Sequence, residues 1–344
     1  MPGANAISQL GFLTLADVVA QYTSLDPKGI YLEIAKVLHR ACPLVDILPL
    51  VPSNQIMSHI ASRESYLPVP VARRFNEYVM PTAGHSTPLT EGISMFEDYS
   101  QVDATLYRIQ PDPERWRMDR DKLHVEGFRQ KLESGLFYGS TAADGQDILG
   151  LAARFKNTTY YPNGDLSWQP NVWDGGGTGN TNASIWMVEF GLNKVYATFP
   201  KNLIAGLNIK NLGEVTAQTS QGLQEVYRTW FQWCIGMMIE DERCVQRYAN
   251  IATTGDQNIF DESILIAMKN QLPSRGEAPG TAILMNRLCA TQVDVRATVT
   301  KINAYYTQEP SGDIFGRTVT RFQGIPILTA EMLLNTESQV TSST

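Results

Sequence analysis

The sequence lacks most of the marks by which enzymes, membrane proteins and secreted proteins declare themselves. Of its 344 residues only four are cysteine, Cys42, Cys234, Cys244 and Cys289, and no two stand in C-x-x-C spacing, so neither a zinc site nor a redox pair is written locally. Cys234 and Cys244 fall in a stretch that reads as extended, where ten residues at ~3.3 Å each separate them by roughly 33 Å, too far to bridge. Four reduced thiols are the expectation. The N-terminus has no basic n-region, and no run approaches the ~18 consecutive apolar residues of a membrane span. A reducing cytoplasm is the expected folding compartment. Charged residues make up 18% of the chain, below the usual ~25%. The net charge of −7 opposes broad attraction to a nucleic-acid backbone, so any contact with DNA is expected to be weak and non-specific.

Catalytic frames are missing too. His39, His59, His85 and His124 never stand at i, i+4 or in H-E-x-x-H, and no G-x-S-x-G elbow occurs. Gly175-Gly176-Gly177-Thr178-Gly179-Asn180 has the texture of a phosphate loop but not its Gly-Lys-Ser/Thr ending, and Asn180 stands where a dinucleotide fingerprint needs glycine. Glu240, Asp241 and Glu242 read as a solvated turn. Asn157-Thr158-Thr159 and Asn182-Ala183-Ser184 match the glycosylation sequon, which means little without a secretory route. No catalytic, cofactor-binding or metal-binding residue is assigned.

With 43% apolar residues, the chain can bury a large core and hold two or three domains. Thr14 and Asp26-Pro27 predict two short N-terminal helices, the second carrying Ile30, Ile34, Val37 and Leu38 and stopped by Pro43. From Leu44 to Pro113, prolines at 43, 49, 52, 68, 70, 81, 88, 111 and 113 alternate with short β-prone runs such as Ile56–Ile60 and Ala104–Ile109, which rules out central strands and long helices. The reading is a two-armed excursion, Ser53–Pro70 outward and Thr87–Ile109 back. Arg63, Arg73 and Arg74 mark the first arm; Glu91, Glu97, Asp98 and Asp103 mark the second. A lone hairpin is marginal in water, so this one is expected to find its partner surface on another subunit.

Leu123, Phe128, Leu132 and Leu136 predict a long helix over Asp119–Tyr138, ended by Gly139. Asn163–Asn182 reads as a loop, Ser184–Thr198 as strands turning near Gly191-Leu192-Asn193, and Gln224–Ile251 as β with Tyr227, Phe231 and Trp233 facing a core. Asp261 is expected to cap a helix over Glu262–Gln271. Thr281–Met285 reads as a buried strand, Arg287–Arg296 as a helix and Ile325–Leu328 as a strand, together a compact α/β portion.

Four stretches in this order resemble the major capsid proteins of tailed phages, of podophage type, with the Johnson or HK-ninety-seven-like fold. Leu67-Pro68-Val69-Pro70-Val71-Ala72-Arg73-Arg74-Phe75-Asn76 with Tyr99-Ser100-Gln101-Val102-Asp103 resembles that family's E-loop, although Ala72 and Tyr78 depart from its pattern. Phe137-Tyr138-Gly139-Ser140 to Gly150-Leu151-Ala152-Ala153-Arg154-Phe155 is similar to the exit from its spine helix. Gly176-Gly177-Thr178-Gly179-Asn180 into Ser184-Ile185-Trp186, with Phe199-Pro200-Lys201 and Ala205-Gly206-Leu207, resembles its central β region. Trp233-Cys234-Ile235-Gly236 with Asp241-Glu242-Arg243 and Arg247-Tyr248-Ala249-Asn250-Ile251 completes the set, and Gly324-Ile325-Pro326-Ile327 resembles a further turn and strand.

The resemblance implies an α+β fold with an N-terminal arm (1–52), an E-loop (53–112), a mainly P-domain portion with the spine helix (113–250) and a mainly A-domain portion (251–344). It implies a structural protein, not an enzyme, that self-assembles as hexamers and pentamers into an icosahedral virion shell around double-stranded DNA, built in the host cytoplasm. The implied partners are further copies of itself, a separate scaffolding protein, a portal and a cement protein, with no membrane. Arg63, Arg73, Arg74, Glu91, Glu97 and Asp98 are the candidate inter-subunit contacts. No lysine occurs between Lys36 and Lys122, so the amine that welds subunits in some members of the fold is absent from the loop and a non-covalent shell is expected. Rival readings are an encapsulin-like cargo shell, a polysaccharide hydrolase using Trp168 and Trp173, and a monomeric decoration protein.

Overall fold

The computed structural model describes residues 40–142, 144–162, 169–219, 222–255, 257–299, 306–310 and 318–342. The two N-terminal helices expected before Pro43 lie outside these residues, as does Trp168. In chain order the elements are α1 (Pro43–Ile47), β1 (Leu50–Pro52), β2 (Ser58–Tyr66), β3 (His85–Gly92), β4 (Ser94–Asp103), α2 (Ala104–Ile109), α3 (Pro113–Tyr138), α4 (Leu151–Arg154) and β5 (Val172–Asp174). There follow β6 (Asn182–Glu189), β7 (Val195–Phe199), β8 (Asn208–Thr219), β9 (Gly222–Ile239), β10 (Val245–Ala252), α5 (Glu262–Gln271), β11 (Thr281–Met285), α6 (Arg287–Val299), β12 (Tyr306–Pro310), β13 (Thr318–Phe322) and β14 (Ile325–Thr329).

The described strands form three sheets. One has five strands, ordered β1-β7-β9-β4 with β8 also on β9; one has seven, ordered β12-β13-β14-β11-β6-β10-β5; and β2 pairs only with β3. Two compact units alternate along the chain. The first contains 95–130 and 206–234, the second 41–94, 131–205 and 235–344.

In the second unit, β6 is the pivot. All eight of its residues are buried, as suits a strand flanked on both sides, antiparallel to β10 and to β11. Ile185, Met187, Tyr248, Leu265, Met268, Ile283 and Phe322 pack into one core beside it. Asp261 accepts from the Ser263 amide to cap α5, as expected from its place before the apolar run. The glycine tract is built for close packing. A Cβ on Gly175 would stand 2.7 Å from the Asn250 carbonyl, and one on Gly177 would stand 2.6 Å from the same oxygen.

In the first unit, Phe128 of α3 meets Phe231 of β9 at 6.3 Å between centroids, and the His124 ring stacks on Phe231 at 5.5 Å. Arg117, also on α3, reaches Asn211 Oδ1 at 2.6 Å, the Arg228 carbonyl at 3.0 Å and Thr229 Oγ1 at 2.7 Å.

Several boundaries differ from the sequence reading. The long helix starts at Pro113, six residues before the expected Asp119, because Asp112 accepts from the Arg115 amide and proline suits a first turn. Ala104–Ile109 is helix and not a β-prone run, since Asp103 caps it through the amides of Thr105 and Leu106. The returning arm pairs with the outgoing one only over His85–Gly92; beyond Ser94 the chain joins another sheet. Gln224–Ile251 is broken by a 3-10 turn at Glu242–Cys244. The loop expected over 163–182 contains the three-residue strand β5, and its Trp173 is half-buried with Nε1 donating to Gln246 at 2.9 Å.

Candidate assembly surfaces

The β2–β3 hairpin is the most exposed part of the described chain. Its pairing runs from Ser58 opposite Gly92 to Tyr66 opposite His85, with a bulge after Glu64. Beyond it, residues 67–84 form a tip without regular structure, as Pro68, Pro70 and Pro81 dictate by withholding amide donors. The tip turns at Arg74–Glu77, where Asn76 takes φ 65°, a left-handed angle that asparagine tolerates better than most residues. The Glu77 amide donates to the Arg74 carbonyl at 3.3 Å, Glu77 Oε2 accepts from the Arg74 amide at 2.8 Å, and Arg73 Nη1 donates to the Glu77 carbonyl at 3.1 Å.

The tip's side chains are poorly suited to water. Phe75 and Tyr78 are fully exposed, Met80 is 87% exposed, and Leu67, Val69 and Val71 are each about two-thirds exposed. With Val79, about half exposed, seven large apolar groups stand on one exposed ribbon, which exceeds the scattered singles normal for a surface. Covering each contributes about 1.5–3 kcal/mol before the costs of ordering and association.

The six candidate contact residues take different places. Arg73 and Arg74 stand exposed on the tip beside Phe75. Arg63 lies at the hairpin's root and serves its own chain: Nη1 meets Glu242 Oε1 at 3.0 Å, Nε the Glu240 carbonyl at 2.8 Å and Nη2 the Ile239 carbonyl at 3.0 Å. Glu91, buried in the other strand of the root, is held by Arg154 through two bonds of 2.6 and 2.7 Å. Glu97 and Asp98 belong to the first unit, where Glu97 accepts from Gln232 at 2.7 Å and Asp98 meets His124 Nδ1 at 2.5 Å.

Glu240 and Glu242, read in the sequence as solvated, are thus partners of the hairpin. Tyr196 donates to Glu240 Oε1 at 2.5 Å, and burial followed by that bond pushes its hydroxyl far above the ordinary phenol value. Tyr160 is pushed up to about 12 by burial and by the neighbouring Glu242. No local signal marks such pairs, because the residues are separated by 177 and 179 positions.

All four cysteines are buried, and none is joined in a disulfide. Burial raises the thiols of Cys234, Cys244 and Cys289, the last to about 12, so none is poised as a nucleophile. Among the described residues no three His, Cys, Asp or Glu side chains converge to hold a metal ion. None of the described helices is long and apolar enough to cross a membrane.

The family profile described as major capsid protein GP7 matches residues 26–341. The solved structure of bacteriophage Epsilon15 is similar over 96% of this chain and 98% of its own, with 23% identity and a TM-score of 0.67. Looser likenesses include the bacteriophage JBD30 capsid, with 14% identity, coverage of 93% and 99% and a TM-score of 0.48. The SrpI encapsulin of Synechococcus elongatus shares 14% identity over 71% of this chain and 98% of its own, with a TM-score of 0.40. No curated protein sequence is a detectable relative. The Epsilon15 likeness shows the fold to be the α+β, HK-ninety-seven-like one with its long helix.

Proposed function

The chain belongs to the major capsid protein GP7 family, and on that footing we propose that its copies join as hexamers and pentamers through the tips of their β2–β3 hairpins. The protein is a structural component of the virion: it forms the icosahedral phage shell and is not an enzyme.

The observation that carries the hairpin reading is the tip itself. Residues 67–84 present seven exposed apolar side chains and two arginines on a two-stranded ribbon, and such a ribbon has too little core of its own to justify that exposure. Another copy of the chain is the natural cover, because a closed shell of identical chains repeats the same kind of interface between its copies. In this reading the hairpin is the E-loop, α3 is the spine helix of the P-domain, and the portion after 251 is mainly A-domain. Arg73 and Arg74 meet carboxylates of a neighbouring copy at the rim of the contact. The particle is of podophage type, with a separate scaffolding protein, a portal and a cement protein as partners, and packaged DNA touches it only weakly.

Electron microscopy and light scattering of the expressed protein, with and without neighbouring phage genes, test the reading. Closed shells or capsomers are expected. Serine at Phe75 and Tyr78 should sharply lower their yield while leaving the thermal unfolding of the subunit unchanged. Undiminished assembly of that double variant would exclude the tip as the contact.

A further inference from the structure

The root of the hairpin is built differently from its tip. On β2, His59, Ala61 and Arg63 are partly buried while Ile60, Ser62 and Glu64 are exposed; on β3, Leu89 and Glu91 are covered while Pro88, Thr90 and Gly92 are not. One face of the ribbon therefore lies on its own subunit, and the groups that hold it there are polar and directional.

Three grips are visible. Arg63 fits its planar fork to two successive carbonyls, of Ile239 and Glu240, and to the Glu242 carboxylate. Glu91 takes both terminal nitrogens of Arg154, whose Nε also donates to the Leu149 carbonyl at 3.2 Å. His59 Nε2 lies 3.1 Å from Tyr196 Oη. Since that hydroxyl donates to Glu240, it can only accept from His59, which places the ring proton on Nε2. A close backbone approach completes the root: a Cβ on Gly236 would stand 2.5 Å from the Gly92 carbonyl, and the Ile93 amide donates to the Met57 carbonyl at 2.9 Å.

We propose that the hairpin arm is aimed by its own subunit before any neighbour is met, with Arg63 and Glu91 as the positioning residues. Two grips on β2, four residues apart, and one on β3 restrain both the tilt and the roll of the ribbon. Apolar packing of equal area would leave it free to slide, whereas hydrogen bonds to charged groups weaken steeply with angle. The inference rests on the reading of the tip as the docking surface. It adds that the tip is presented at a preset angle, so that ordering of the arm does not have to be supplied by each contact.

Hydrogen exchange on full-length subunits held below their assembly concentration tests this, alongside assembly followed by light scattering. In the parent protein the amides of β2 and β3 near the root should be protected. In Arg63→Ala and in Glu91→Gln they should exchange faster, with α3 and β6 unchanged. If the released arm points correctly only a tenth of the time, each contact weakens about tenfold, and assembly slows accordingly. Arg63→Lys should fail to restore the parent rate, because one ammonium cannot match a planar fork. Should Arg63→Ala fail to fold, Glu91→Gln, which keeps the shape and removes the charge, decides alone. Equal exchange at the root in parent and variants would overturn the proposal. So would normal assembly of the root variants while the tip variants still fail. Normal assembly of the tip variants would instead sink the docking reading, and the exchange data would still decide the grip.

Discussion

Glu337 brings a carboxylate into the interior of the second unit, where Tyr138 and Ser184 each donate to it at 2.5 Å and Arg247 pairs with it at 2.8 Å. Arg247 and Glu337 expose only 4% and 6% of their side chains, so this pair is shielded from solvent. Removing one partner of such a pair costs about 3–5 kcal/mol, mainly by stranding the other charge. Glu337→Ala should lose that much in chemical denaturation, and a loss of only a few tenths would show that the pair is hydrated. Asp103 allows a test by pH. Burial pulls its carboxyl upward, but bonds from Gln224 and from the amides of Leu106 and Thr105 outweigh that and hold it below 3.8. A folded value below the unfolded one means stabilisation that is complete above 3.8 and lost as pH falls through the folded value. The melting-temperature gap between the parent and Asp103→Asn should therefore be widest near neutrality and close in acid.

At the scale of elements, local chemistry decided more than composition did. Ala104–Ile109 carries Thr, Tyr and Ile, which favour strands, yet the Asp103 cap wins and makes a helix. The turn at Gly191 was legible, but not that β6 and β7 enter different sheets, which depends on partners far away in sequence. The hairpin was legible as an extended pair of arms from its prolines and β-prone runs. Its register was not, because Ser58 opposite Gly92 is set by the base of the hairpin and not by its tip. Reversing Arg73 and Arg74 to Glu, at exposed positions, should change subunit stability by no more than about 0.5 kcal/mol. The same change should weaken assembly by setting like charges against the carboxylates of a neighbour. Equal losses in melting temperature and in assembly would assign these arginines to the fold.

For the whole molecule, the hairpin from Ser58 to Gly92 contains no lysine, and its arginines stay protonated at any working pH. An isopeptide weld from a lysine of this loop is therefore chemically closed, and the proposed source of shell strength is apolar burial and charge pairing at many repeated contacts. Boiled, reduced particles should run as one band near 38.3 kDa. A ladder of covalent multimers would show a cross-link from elsewhere in the chain.

What the sequence determined by itself was whatever depends on near neighbours. Caps at Asp261 and stops at Gly139, the proline-interrupted arms, the buried run Thr281–Met285 and the missing lysine are all properties of a few adjacent residues, and each can be read without a fold. Only the tertiary structure decided which charges are surface and which are internal. Arg63, Arg73 and Arg74 look alike in the sequence, yet the first grips Ile239, Glu240 and Glu242 while the other two stand on the exposed tip. The reason is that a side chain's partner is chosen by distance in space, and the chain brings Arg63 within 3.0 Å of a residue 179 positions away only when the sheets have formed.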